Sequence, residues 1–375
     1  MNLNHAWLKS YIRYPLDIRR AEKHLSRGLE SSDETTATIK FHSTARSIVV
    51  DMHTPQLLFD CGRHLNCIAA HATLAGSRFY LSCNKVLLAG IARKLYGPEL
   101  LSNPRLTWLA PDESSPSDSL VLTDDASKCR DSHAIEMLIG RDSISGAPTM
   151  PYPMHHRTTE SHRDSAWSEL RESDRRGIFF AGRIKDSYKQ NKITDEFGVI
   201  DRVRAVQAVQ NRFGSRVLPT LQARNNSQDS TPIVLLDSGK HSIDQSQWLP
   251  TLATFDFFLC CPGASQPMCH NAIEAMSVGT IPLIEYGDRF SPPLSDSINA
   301  VCFSGEEGLI EAIERIDQMS PEQINDLRSG VIDYFENHLR GDKFIANLRD
   351  GKFGHKVNAV NMPFHSHNYY SCRAA

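Results

Sequence analysis

The sequence predicts an α/β protein of two domains, each a parallel β-sheet covered by helices. Three observations carry this. Short apolar runs of strand length alternate with helical patterns along most of the chain, the order that winds into parallel sheets. Residues 256–293 write the repeating unit out in full: the run FFLCC stopped by Pro262-Gly263, a short helical pattern closed by Gly279, then the apolar, β-rich TIPLIEY. A length of 375 residues exceeds what one core commonly organises, so two domains are expected.

The chain in order supports the same division. Residues 1–45 read as a helical lead-in followed by the polar loop SSDETTAT. A first domain spans 46–140, with strands at 47–52, 78–82, 106–109 and 119–122, an apolar patch at 56–59, and helices at 66–74, closed by Gly76, and at 85–96. Residues 141–176 turn to Pro, Ser, Thr, His and Arg and read as a linker, in which His155 and His156 are expected in solvated loop. A second domain spans 177–340, opening with the strand 177–181. A helix at 203–213, closed by Gly214, a strand at 232–236 and a helix at 248–255 lead to the unit described above. In that unit Ser265 is the expected helix cap and Pro267 an early helical position. A strand at 301–303 and helices at 309–316 and 321–339 follow, the last opened by Ser320-Pro321. Residues 341–375 are expected to form a polar tail, irregular from 351.

Composition narrows the function classes. With 40% apolar and 23% charged residues and a net charge of −3, the chain has no excess of basic residues, and nucleic acid is not an expected partner. The nine cysteines are odd in number, fall partly in apolar runs and form no C-x-x-C pair, so free core thiols are expected and zinc-ribbon or thioredoxin-like chemistry is not. No secretory signal and no apolar run near ~18 residues is present, and a cytoplasmic protein is expected. Trp7, Leu8, Tyr11, Ile12, Tyr14 and Leu16, with Lys9, Arg13, Arg19 and Arg20, suit either a docked helix or a segment lying peripherally on a membrane.

Three places carry candidate chemistry. Gly182-Arg183-Ile184-Lys185 follows a strand and offers backbone access beside two cations, as a diphosphate requires. The loop Gly263-Ala264-Ser265 leads from a strand to a helix start, whose unpaired N–H groups attract anions. Glu274 lies in the second half of that helix, against its dipole, so it either meets ligand hydroxyls or faces solvent. In the first domain, Asp60-Cys61-Gly62-Arg63-His64 joins a glycine that permits close approach to groups able to bind an anion or move a proton. The alternative there is a surface turn capping a helix.

Residues 274–284, EAMSVGTIPLI, resemble the signature of the C-terminal nucleotide-sugar domain of GT-B glycosyltransferases, in the form seen in exostosin-like members. The resemblance covers about residues 177–338. It implies a GT-B fold, two Rossmann-like domains facing across a cleft, which moves a sugar from a nucleotide-diphosphate sugar to a glycan or other acceptor. Glu274 would hold the ribose, and Gly263, Ala264 and Ser265 would face the diphosphate. Arg183 would meet the phosphates together with Lys185, Lys189 or Lys192, or with Arg202, the position exostosin-like chains favour. Gln266 stands where retaining members carry a second glutamate, a departure that leaves the stereochemical course open. Asp60, His64 and His53 are the candidate bases, with Gly62 and Arg63 on the acceptor side. No cofactor beyond the donor substrate is implied. The chain also has no Asp-x-Asp to hold a metal, its adjacent pair Asp124-Asp125 pointing to opposite faces of an extended backbone. A sugar-nucleotide epimerase and a non-catalytic glycan- or partner-binding protein on a degenerate fold of this kind are the alternatives, Gln266 favouring the latter.

Overall fold

The computed structural model describes residues 5–35, 46–129, 134–140, 143–161, 167–185, 191–227, 229, 231–263, 266–354 and 356–363. Of residues 1–12, 31–35, 128 and 191–192, it describes the backbone alone or not at all. The chain divides into two compact units, one of Met1–Pro151 with Gly341–Ala375 and one of Tyr152–Arg340. Their strands, in chain order, are β1 (Ser47–Asp51), β2 (Phe79–Ser82), β3 (Leu106–Leu109), β4 (Ser119–Thr123), β5 (Ile135–Leu138), β6 (Ile178–Gly182), β7 (Val217–Leu218), β8 (Ile233–Asp237), β9 (Phe257–Cys260), β10 (Ile281–Ile284), β11 (Val301–Cys302) and β12 (Ala359–Asn361).

The first unit holds a six-stranded sheet in the order β12-β5-β4-β1-β2-β3, every described pairing parallel. β1 lies at its centre because Ile48, Val49 and Val50 are apolar on both faces, and all three are fully buried. The lead-in is the helix His5–Thr35. From Asp17 to Gly28 it is docked: Asp17 meets Arg93 at 3.3 Å, Ala21 is fully buried, and His24 Nδ1 lies 2.9 Å from Ser102 Oγ. The expected helix over 85–96 stops at Ala92, since the Tyr96 N–H turns away to the Cys61 carbonyl, and a second short helix, Gly97–Leu101, follows.

The largest difference from expectation lies in the tail. The described residues of 341–363 belong to the first unit: the helix Gly341–Arg349 covers the helix Arg63–Leu74, and β12 forms the edge of the sheet beside β5. Polar residues fasten this return. Asn361 donates to the Ile144 and Ala147 carbonyls and accepts from the Ile144 N–H, while Arg349 Nη1 binds the Ala75 carbonyl and Ser77 Oγ. Sequence composition reads such residues as loop; here they satisfy buried backbone.

The second unit has the sheet order β11-β10-β9-β6-β8-β7, again parallel in every described pairing. Its core is aromatic, with Phe179 stacked on Phe255 at 4.5 Å between centroids. Asp201 caps the helix Arg202–Phe213 by accepting from the Val203 and Arg204 N–H groups, and Ser320 with Gln323 forms a capping box for Pro321–Tyr334. That last helix widens into a π-turn over Phe335–Leu339. The helix after β9 runs His270–Ser277, so Pro267 lies ahead of it, its carbonyl accepting from the Gly263 N–H; Ser265, the expected cap, lies outside the described residues. The two units are thus Rossmann-like α/β domains with parallel sheets, consistent with a GT-B fold.

Candidate functional site

In the second unit the chain leaves β6 toward β7 and β8 on one side, and runs through β9, β10 and β11 on the other. The loops after β6 and β9 therefore diverge at the carboxyl edge of the sheet, the place where open α/β sheets bind ligands. Arg202 ties these two loops together. Its side chain is buried, with Nη1 donating to the Arg183 carbonyl at 3.3 Å and Nη2 to the Pro262 carbonyl at 3.0 Å. Gly182 makes room, since a Cβ there would lie 3.2 Å from Arg202 Nη1. Asn271 Nδ2 donates to the Ala181 carbonyl at 3.2 Å, fixing the helix after β9 to the end of β6.

The loop after β6 is shaped by Asp237, whose Oδ1 accepts from the Gly239 and Ile184 N–H groups at 2.9 and 3.2 Å. The Gly239 bond chiefly, helped by the Ile184 bond and two lysines, holds this carboxyl below its ordinary range against the opposing effect of burial. Arg183 and Lys185 are left exposed and make no salt bridge among the described residues. Gly263 is half-buried, and a Cβ there would lie 2.9 Å from the Gln266 carbonyl. Gln266 is buried, its Nε2 donating to Tyr152 Oη at 3.2 Å. Ala264, Ser265 and Lys189, with the side chain of Lys192, lie outside the described residues.

Glu274 neither faces solvent nor stands clear of the core. It is fully buried, and four donors of the chain fill its two oxygens. Oε1 accepts from the His155 N–H at 3.1 Å and Thr158 Oγ1 at 2.7 Å; Oε2 accepts from Trp248 Nε1 at 2.7 Å and meets His270 Nδ1 at 3.0 Å. Burial pushes the carboxyl up, but the charge and hydrogen bond of His270, the Thr158 hydroxyl and the charge of His155 outweigh it and hold the group at about 2. The ribose role expected of Glu274 is therefore taken by internal donors. His155 and His156 are likewise not in solvated loop: His156 is buried, opening the helix His156–Ser161, and the two rings stack at 4.5 Å.

Sequence reading missed Thr158, Trp248, His155 and His270 as members of one network. His270 alone left a local signal, since it precedes Glu274 by one helical turn and the two must share a face. The others come from distant parts of the chain and left none.

In the first unit, Asp60-Cys61-Gly62 forms a tight turn with φ of +48°, +59° and +81° and leads directly into the helix Arg63–Leu74. Asp60 Oδ2 binds Arg63 Nε at 2.5 Å and lies 4.0 Å from His64 Nε2. Gly62, Arg63 and His64 are buried, and Asp60 and Cys61 are the exposed residues of the cluster. At the switch point between β1 and β4, His53 is arranged differently. Its Nε2 lies 2.8 Å from Asp51 Oδ2, and its N–H donates to Asp124 Oδ1 at 2.7 Å. Asp51 in turn accepts from Ser82 Oγ at 2.9 Å.

Among the described residues, no three His, Cys, Asp or Glu side chains are placed to hold a metal, and no helix is long and apolar enough to cross a membrane. No protein-family model matches the chain, and no curated protein matches it. Among solved structures, the N-terminal domain of trehalose-6-phosphate phosphatase from Candida albicans aligns at 11% identity and a TM-score of 0.33, over 92% of this chain and 76% of that one. An alpha,alpha-trehalose 6-phosphate synthase from Burkholderia multivorans aligns at 12% identity and a TM-score of 0.32, over 88% of this chain and 76% of that one.

Proposed function

We propose that the chain is a glycosyltransferase that takes its sugar from a nucleotide-diphosphate donor held by the second unit and passes it to a glycan or other acceptor. The observation that carries this reading is the carboxyl edge of β6 and β9. There one buried guanidinium, Arg202, fastens two diverging loops, and Arg183 and Lys185 remain exposed beside them without ion-pair partners among the described residues. Such an edge brings a helix start and positive charge together, which suits a diphosphate.

In this reading Arg183 and Lys185 meet the charge that grows on the diphosphate as the sugar departs, and only interactions stronger in the transition state raise the chemical rate. Arg202 and Asp237 act through the loops they hold. Glu274 anchors the segment around residue 158 to the helix after β9 and does not touch the ribose. The first unit supplies the acceptor side, where Asp60, His64 and His53 are the candidate bases. Of these His53 has the arrangement of a working base: it is partly exposed and already hydrogen-bonded to a carboxylate, whereas His64 is buried. The reaction is proposed to be metal-independent, because the sequence has cations at the phosphate site and no Asp-x-Asp.

Incubation with a panel of nucleotide sugars and glycan acceptors, with and without EDTA, tests the reading. Nucleotide release and acceptor glycosylation that persist in EDTA are expected. Failure to bind or turn over any nucleotide sugar would overturn it, and rescue of lost activity by manganese or magnesium would overturn its metal-independent form.

A further inference from the structure

His270 is the first residue of the helix that follows β9, so it stands at the carboxyl edge of the sheet, next to Asn271 and its bond to the end of β6. The ring is fixed from behind. Nδ1 lies 3.0 Å from Glu274 Oε2, and the His155 ring meets it edge-on at 5.3 Å between centroids. Glu274 cannot turn away, being held by the His155 N–H, Thr158 and Trp248. An ionised carboxylate accepts and does not donate, so the hydrogen lies on Nδ1 and the remaining nitrogen, Nε2, is left for another partner. The side chain keeps 33% of its surface exposed, and among the described residues Nε2 makes no hydrogen bond. A carboxylate needed only to fasten the segment around residue 158 would be satisfied by its three other donors. The fourth donor adds a ring whose outer nitrogen has a fixed direction.

We propose that His270 is a ligand-contacting residue of this site and donates as the imidazolium: with its Nδ1–H held by Glu274, its second N–H, on Nε2, meets an anionic oxygen of a nucleoside diphosphate, and Glu274 is the positioning residue behind it. The proposal rests on the nucleotide-binding reading given above and adds a third cationic group to Arg183 and Lys185. It also gives Glu274 a reason to sit in the second half of a helix, against the dipole: from there it reaches back one turn to the helix start.

Calorimetric titration of UDP and of GDP into the wild-type protein, H270N and H270Q tests this. Asparagine keeps an amide where Nδ1 stood and so keeps the bond to Glu274, but leaves the place of Nε2 empty; glutamine reaches that place. H270N is expected to melt close to wild type and to bind the nucleotide about tenfold or more weakly, and H270Q to lose less. A folded H270N with wild-type affinity overturns the proposal while leaving nucleotide binding in place. Wild-type protein that binds neither nucleotide removes both. Should H270N fail to fold, the imidazole nitrogen-15 resonances of the wild-type protein decide: nucleotide must move the Nε2 signal of His270, and an unmoved signal refutes the contact.

Discussion

Glu274 is a buried charge on which four donors converge, and its removal takes an acceptor from each of them. Glu274→Ala is expected to destabilise the second unit by about 3 to 5 kcal/mol, measured as a shift in the urea midpoint. The sign of its pH dependence follows from the direction of its shift. Its folded-state pKa is held at about 2, below the ordinary 4.5, so its contribution is complete above about pH 4.5 and is lost as pH falls toward 2. On the order of 3 kcal/mol is at stake across that window. Denaturation midpoints measured from pH 7 to pH 2 should fall more steeply for wild type than for Glu274→Gln, and parallel curves would refute the network. Arg183 has the opposite character, exposed and without a structural bond from its side chain. Arg183→Ala is expected to leave the melting temperature unchanged and to lower kcat more than it raises KM, by about tenfold or more. A kcat within about threefold of wild type would make it an ordinary surface residue.

At the scale of elements, close approach matters as much as pattern. The helix Gly341–Arg349 crosses the helix Arg63–Leu74 at a point where any Cβ on Gly341 would enter the His71 ring. Gly341→Ala is expected to destabilise the first unit by about 1 to 3 kcal/mol through this overpacking, visible as a lowered thermal midpoint with circular dichroism of the native state retained. The strands β1, β2, β3, β4, β6, β8, β9, β10 and β11 all lie within two residues of their expected bounds, their apolar runs standing out from the turn residues on either side. β5, β7 and β12 have no counterpart among the expected strands. The helix after β9 starts at His270 and not at Pro267, whose carbonyl accepts from the Gly263 N–H.

For the whole molecule, the consequential feature is that the chain returns. Having completed the second unit at Arg340, it re-enters the first with a helix and an edge strand. A protein ending at Arg340 would lose β12 and expose the edge of β5, together with the apolar face that Phe344, Ile345 and Leu348 cover. Such a truncation is expected to aggregate or to melt in two steps, the first unit giving way before the second. A single unchanged transition by calorimetry would show the return to be dispensable. The parallel sheets and the two-unit plan were legible in the sequence, since each rests on local runs and turn residues. The extent of the first unit and the burial of Glu274 were not, since both depend on residues brought together over more than a hundred positions of chain. The central claim is that the carboxyl edge of β6 and β9 binds a nucleoside diphosphate, and its most direct test is the melting temperature in the presence of each common nucleoside diphosphate, with EDTA present. A ligand at 100 times its dissociation constant adds about 2.7 kcal/mol to the folded state. The account predicts that one of these nucleotides raises the melting temperature of the wild-type protein and raises it less in Arg183→Ala; no rise with any nucleotide at millimolar concentration would contradict it.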